Sequence, residues 1–475
     1  MKQWWLRGTL VALFFQPFLI ISTLAWGETL TPAQQEAVRQ EVQRILREQG
    51  YTGKDMPPTG PPSDVGQPAK KPRKRLEDLY LRDKPKTQSG STMSGSGSLV
   101  YARPFVAAPK AILGGYMDVA YTNRANQGDE SFFDQNRLVP FIYGDVNDHV
   151  KFAAEIEFEH GNELGIEFAI IDYLVNEPFN VRAGIILMPV GKVNLLHDSP
   201  LRDLTERPMV SRRIIPSTWD EPGVGVYGTF YPTSLSQVNY EIYVTSGFTN
   251  AFGGQNNPNA TSNITTINGL RSARSSSTSF DNNSGKAVVG RVAFSPILGI
   301  EIGGSGFFGS YDPGSKRSLA LWAVDWTFQR GPLEFIGESA WAYIKGNNLN
   351  ANGATFNTNP RRMQGYYMQL NYHFLPQWLT DLAPSHFRQE VSTFTAVVRW
   401  EAMSLGADLA TPNLGERERL TVGLNFRPTE DSVFKTDFQY SPQEITNGTN
   451  NIGAISEPRR RIHDTAFLAS WQTYF

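Results

Sequence analysis

The sequence predicts an all-β protein: a transmembrane antiparallel β-barrel of about 16 strands, preceded by a short N-terminal helix and a disordered linker. Three observations lead there. From Ala111 onward apolar residues recur with a period of two. About sixteen such segments can be read between 112–121 and 461–475, mostly about ten residues long, the length that crosses a bilayer at a tilt. Their connections alternate between short and long, the arrangement of a barrel with tight periplasmic turns and extended outer loops.

Composition permits this reading. The mean hydropathy of −0.34 is polar overall, which a membrane barrel tolerates because its strands alternate lipid-facing and water-facing residues. The chain has no cysteine, which excludes disulfides, thiolate zinc sites and cysteine nucleophiles together. Charge is unevenly distributed: 16 basic and 9 acidic residues in 1–110, against 28 and 37 in 111–475. The arm is basic and the body acidic.

Residues 1–27 read as a signal peptide. Lys2 and Arg7 precede an apolar centre, and Ala25-Trp26-Gly27 supplies small residues at a cleavage site. In 28–50, Thr31-Pro32-Ala33-Gln34 opens a short amphipathic helix with a capping box, and Val38, Val42, Ile45 and Leu46 form a narrow stripe suited to a coiled coil. Residues 51–110 form a Pro/Gly/Lys-rich periplasmic linker. Its cluster of Lys70, Lys71, Arg73, Lys74 and Arg75 is suited to contact with an anionic cell-wall polymer. The barrel domain occupies 111–475.

The clearest barrel strand places Val150, Phe152, Ala154, Ile156 and Phe158 on one face and Lys151, Ala153, Glu155, Glu157 and Glu159 on the other. A turn at 161–163 follows, and Leu164, Ile166, Phe168 and Ile170 continue the apolar face. Short connections are expected at 144–148, 176–178, 232–236, 295–298, 329–332 and 428–431, and long ones at 189–221, 247–285, 345–363, 403–417 and 442–460. Segment 375–390 breaks the rule, through either a register error or a folded periplasmic excursion. Phe467, Ala469, Trp471, Thr473 and Phe475 end the chain on an alternating strand with a terminal Phe, a resemblance to bacterial outer-membrane barrels. Aromatic residues near strand ends suit interfacial girdles.

No catalytic site is expected. His197-Asp198-Ser199 are consecutive and cannot assemble a nucleophile triad. His197, Asp198, Asp203 and Glu206 have metal-ligand types, but their spacing matches no defined cage, so neither metal nor cofactor is expected. The informative stretch is 189–221, the third outer loop by count. In a sixteen-stranded porin that loop folds into the lumen. Its Lys192, His197, Asp198, Arg202, Asp203, Glu206, Arg207, Arg212 and Arg213 become candidate constriction groups. Facing them across the lumen are Glu155, Glu157, Glu159, Glu167, Arg182, Glu241, Arg291, Asp325 and Arg399. A second role for the loop charges is structural, with Arg202, Arg207 and Arg212 pairing with Asp198, Asp203 and Glu206.

Residues 141–160, Arg182-Ala183-Gly184, Met188-Pro189-Val190-Gly191, Glu206-Arg207-Pro208, Ile214-Ile215-Pro216, Trp219 and Glu221-Pro222-Gly223-Val224-Gly225 resemble the phosphate-selective porin O/P family of bacterial outer-membrane porins. The resemblance implies a trimeric sixteen-stranded barrel in the outer membrane of a Gram-negative cell, passing small hydrophilic solutes or ions passively. Its partners would be the lipid bilayer, the solutes and two further copies of the chain, with no nucleic acid. Family phosphate selectivity rests on a ladder of arginines and a lysine cluster. The inward positions assigned here are acidic at least as often as basic, so a general or mildly cation-favouring pore is expected. The alternative is a structural protein tethering the membrane to the cell wall through its N-terminal arm.

Overall fold

The computed structural model describes residues 111–475 apart from 126–129, 162, 249–250, 252–262, 275–280, 282, 347–359, 389–390, 409–415 and 446–459. The expected signal peptide, helix and linker lie outside the described residues.

Sixteen antiparallel strands form one closed barrel in chain order, with β1 (Ala111–Ala125) hydrogen-bonded to β16 (Arg460–Tyr474). Between them run β2 (Glu130–Asp145), β3 (Val150–Glu159), β4 (Glu163–Asn176), β5 (Phe179–Leu187), β6 (Asp220–Phe230), β7 (Gln237–Thr245) and β8 (Ala287–Ser295). The second half comprises β9 (Ile300–Ser310), β10 (Ser318–Arg330), β11 (Leu333–Ile344), β12 (Arg362–Phe374), β13 (Thr393–Ser404), β14 (Glu416–Thr429) and β15 (Ser432–Ile445). Closure leaves no sheet edge to lipid, where an unpaired N–H or C=O costs several kcal/mol. Outward residues such as Trp322, Val324, Val398, Val422, Leu424, Phe438 and Trp471 are exposed and apolar. The terminal Phe475 is tied in: its N–H donates to Gly115 O at 2.9 Å and its C=O accepts from Gly115 N at 3.1 Å.

Aromatic rings gather at the short-turn end of the barrel. Phe374 stacks on Phe394 (5.9 Å between centroids), Phe394 on Phe426 (4.5 Å) and Phe434 on Trp471 (4.8 Å). This is the position of an interfacial girdle. The 375–390 segment is a folded excursion. The β12–β13 register runs unbroken from Phe374↔Phe394 to Gln364↔Ser404, and the connection contains a helical turn, Gln377–Leu382.

Two expectations are corrected. The apolar face of β4 does not continue from Ile166 to Phe168. Glu155 pairs with Phe168 and Ile156 with Ile166, so Glu167 is an extra residue in the ladder. Such a bulge switches which residues face which side. Leu164 and Ile166 point outward, whereas Phe168 and Ile170 are buried inside.

The second correction concerns the interior, which is not uniformly polar. One continuous apolar cluster fills part of it, joining Phe168, Ile186, Met188, Leu195, Val210, Ile215, Trp219 and Phe248 to Phe307, Leu319, Leu321, Ile336 and Ala340 on the wall. On β10 the stretch Leu319-Ala320-Leu321-Trp322-Ala323-Val324 is apolar on both faces because one meets lipid and the other this core.

Candidate functional site

The segment 188–219 leaves the sheet after β5 and crosses the lumen. Pro189 removes a ladder donor, and Gly191 takes φ +70°. A Cβ at Gly191 would lie 2.8 Å from Ile215 Cδ1, so the close approach as well as the dihedral calls for glycine. Short helical pieces follow: α1 (Lys192–Leu195), a 3₁₀ turn (Ser199–Leu201) and α2 (Met209–Arg213). Asn194 clamps the base of the loop. Its Nδ2 donates to Met188 O (2.8 Å) and Trp219 O (3.0 Å), and its Oδ1 accepts from Trp219 N (2.9 Å). Trp219 is fully buried, stacked on Phe248 (4.5 Å) and edge-on to Phe307 (5.0 Å).

The apolar cluster fixes one side of the loop, and hydrogen bonds fix its reach across the barrel. Gly191 N donates to Ser305 Oγ (2.9 Å), Val193 N and Ser211 Oγ donate to Glu338 (3.2 and 2.7 Å), and Met209 N donates to Glu401 (2.7 Å). Beyond these, Lys435 Nζ donates to Ser199 O (2.7 Å) and Tyr474 OH to Asp198 (2.9 Å). The loop therefore starts on β5 and touches walls as far round as β15 and β16. The bonds to Gly191 N, Val193 N, Met209 N and Ser199 O satisfy backbone groups that would otherwise be buried without water.

The sequence-predicted charges separate into groups. Lys192 bonds Thr327 (2.9 Å) and pairs with Glu301 (3.0 Å), beside Arg291, which pairs with Asp325 (2.6 Å). Glu241 accepts from Tyr243 OH (3.0 Å) and lies opposite Arg291 in the ladder. Asp203 accepts from Asn371 (2.8 Å). Glu206 binds Arg419 (2.5 Å) and Arg124, with Arg212 at 3.6 Å. Burial pushes the Glu206 carboxyl up, but Arg419, then Arg212 and Arg124, override it and hold it well below the usual carboxylate range. Glu157 and Glu159 both pair with Arg137. Arg213 reaches Asn268 in the next outer loop (3.4 Å) rather than the other loop charges. Of the three Arg–acid pairs expected inside the loop, only Arg212–Glu206 forms.

Arg182 belongs to the wall. It makes a two-point bond to Asp172, both 2.8 Å, with its guanidinium 4.4 Å from the Tyr227 ring centre. Replacing Arg182 by Met is expected to cost about 3–5 kcal/mol, because Asp172 stays buried without its cation. The check is a lower denaturant midpoint for the barrel in detergent.

The remaining cations lack comparable partners. Arg202 bonds the neutral acceptors Thr205 O (2.9 Å) and Ser199 Oγ (2.7 Å). Among the described residues, two nitrogens of buried Arg207, Nε and Nη2, have no hydrogen-bond partner; the same holds for Nε and Nη2 of Arg399, although its Nε lies 3.3 Å from Glu401. Arg427 is 3.8 Å from Asp203, and Lys435 bonds a backbone carbonyl. Burial, then the charge of Arg137, lowers Arg202 to about 10, and burial followed by Arg137 and Arg202 depresses Arg207. The expectation of a mildly cation-favouring pore therefore meets a physical objection. It compared inward acids and bases by number, yet most of those carboxylates are bound to cations, amides or backbone N–H groups. On the β13–β15 side of the loop the charges left without close partners are positive, whereas on the β3–β4 side Glu155 and Glu167 keep unpartnered carboxylate oxygens among the described residues.

Sequence reasoning missed two contributors. The next outer loop also folds inward: Phe248, Ile264 and Leu270 join the apolar cluster, and Arg271 donates to Ser217 O (2.5 Å). Arg419 and Lys435, on β14 and β15, complete the basic group beside Arg427. The doubly apolar β10 run was the available signal for the first; the second depends on loop position and left no local mark.

The family model described as phosphate-selective porin O and P matches residues 113–313, which include the whole inward loop. An uncharacterized protein of Aquifex aeolicus (strain VF5) is 28% identical over 349 residues, covering 69% of this chain and 74% of that one. Among solved structures, an anion-selective porin from Comamonas acidovorans aligns at TM-score 0.45 and 10% identity, covering 77% of this chain and 99% of that chain. OmpF of Salmonella typhi, in complex with daunomycin, aligns at TM-score 0.47 and 9% identity, covering 76% and 97%.

Proposed function

We propose that this chain, matched over residues 113–313 by the phosphate-selective porin O and P family, is a porin whose 188–219 loop constricts the channel and lines it with positive charge. It is an outer-membrane β-barrel through which small hydrophilic solutes or ions diffuse passively. The observation that carries the constriction is the loop's span from β5 to Lys435 and Tyr474 on the far wall. The sign of its field is supported by Arg202, Arg207, Arg399, Arg427 and Lys435, which have few acidic partners within 4 Å. In a low-dielectric enclosure such charges concentrate anions and repel cations.

The remaining candidates have narrower parts in this reading. Lys192, Asp198, Asp203, Glu206, Arg212, Glu338 and Glu401 hold the loop in place. Arg182, Glu241, Arg291 and Asp325 stiffen the wall, and Glu157 and Glu159 moderate Arg137. Family resemblance supports a homotrimer, and the basic cluster Lys70–Arg75 supports cell-wall contact by the arm. Reconstitution into planar bilayers tests the central reading. Stepwise conductance is expected; silent bilayers from correctly folded protein would favour the tethering role instead.

A further inference from the structure

The barrel interior holds a cluster that solute passage does not require. Glu155 on β3, Glu167 at the β4 bulge and His197 on the loop each bring one ligand-type atom to a common point, all within 4.8 Å of one another. All three side chains are buried, with His197 1% exposed. The sequence grouping of His197 with Asp203 and Glu206 does not form, since those two acids bind Asn371 and Arg419. Two strands supply the ligands instead, and the bulge is what brings Glu167 to the site.

The hydrogen bonding around the cluster is incomplete in a particular way. His197 Nδ1 lies 2.9 Å from Asn194 O, which only accepts, so Nδ1 carries a proton. In the neutral ring Nε2 then presents a lone pair, and it faces Glu167 Oε2 at 2.7 Å. Among the described residues, Glu155 Oε1 and Glu167 Oε1 are buried with no donor bonded to them, and the two carboxyl groups face each other. Acceptors thus converge where a positive centre is needed. An imidazole whose second nitrogen donates to a backbone carbonyl is also the arrangement that orients metal-binding histidines. Asp198 stands beside the group, Oδ1 3.9 Å from His197 Nε2, and its partial exposure connects the cluster to water.

We propose that Glu155, Glu167 and His197 bind one divalent transition cation, such as Zn²⁺, which pins the loop to the β3–β4 wall. One imidazole nitrogen and two carboxylates suit Zn²⁺ or Mn²⁺ better than an all-oxygen calcium cage. Asp198 or water supplies the next ligand. The competing occupant is a proton, which would make His197 an imidazolium bridging the carboxylates.

The test uses the full chain purified in detergent without a histidine tag, stripped with EDTA and titrated with Zn²⁺ by calorimetry. Saturable binding at about one Zn²⁺ per chain is expected, as for a single three-ligand site. Glu167→Gln and His197→Ala should each weaken it by roughly 10-fold or more. His373→Ala, whose ring lies beside Glu334 instead, should bind as the parent does. Co²⁺ added to the unaltered protein gives a reading independent of variant folding: visible absorption should appear and be displaced by Zn²⁺. Absence of saturable Zn²⁺ binding by the parent chain, or unchanged affinity in both ligand variants, would overturn the proposal and leave the proton as occupant.

Discussion

Deleting residues 195–211 should raise single-channel conductance several-fold. The segment removed holds the 3₁₀ turn, most contacts to β13–β16, and Arg202 and Arg207. The clamp formed by Asn194 with Met188 and Trp219 stays, as does the packing of Trp219 on Phe248 and Phe307. The barrel wall is closed by its own sixteen-strand ladder and does not need the loop for its hydrogen bonds. The shortened loop should therefore leave a folded barrel with a wider lumen. Far-ultraviolet circular dichroism and heat-modifiable migration verify folding, and conductance in a planar bilayer gives the result. An unchanged conductance in folded protein would show that this segment does not set the bottleneck.

Arg207 should dominate charge selectivity. Two of its guanidinium nitrogens have no hydrogen-bond partner among the described residues, so substitution changes charge while disturbing few contacts. A monovalent ion about 7 Å from one such charge gains or loses about 2 kcal/mol at an effective dielectric near 20, roughly a 30-fold bias before screening. Arg207→Ala is expected to move the zero-current potential toward cations, and Arg207→Glu to move it further, with the largest shifts at low salt. Folding stability should hold or rise, because a poorly partnered buried cation is costly. Arg202→Ala should combine a selectivity shift with altered conductance, since Arg202 also holds Thr205 and Ser199. An unaltered zero-current potential in Arg207→Glu would remove this residue from the ion path.

Much of the fold was legible because a period of two is a local signal. Val150 to Phe158 alternates as read, and all sixteen strands occur where the pattern places them. The β4 face switch was not legible. A bulge inserts one residue without changing composition, so Leu164-Gly165-Ile166-Glu167-Phe168 reads the same with or without it. The excursion at 375–390 was visible only as a broken rule, and its helical turn resolves the choice.

The loop's place was accessible by counting connections, but its chemistry was not. Whether Glu206 meets Arg212 alone or also Arg419 and Arg124 depends on contacts more than 80 residues apart in sequence. Net charge alone does not fix the field in the lumen, for the same reason. The excess of carboxylates in the barrel domain is real, yet Asp172, Asp325, Glu301, Glu338 and Glu401 are tied to the wall or the loop. A lumen's field is set by the charges left after such pairing.

The central claim, a passive channel constricted by a positively lined loop, is tested most directly by the zero-current potential of single channels in a KCl gradient at neutral pH. Stepwise channels with a potential of the sign for chloride preference are the expected result. Channels that prefer potassium, or folded protein that never conducts, would contradict it.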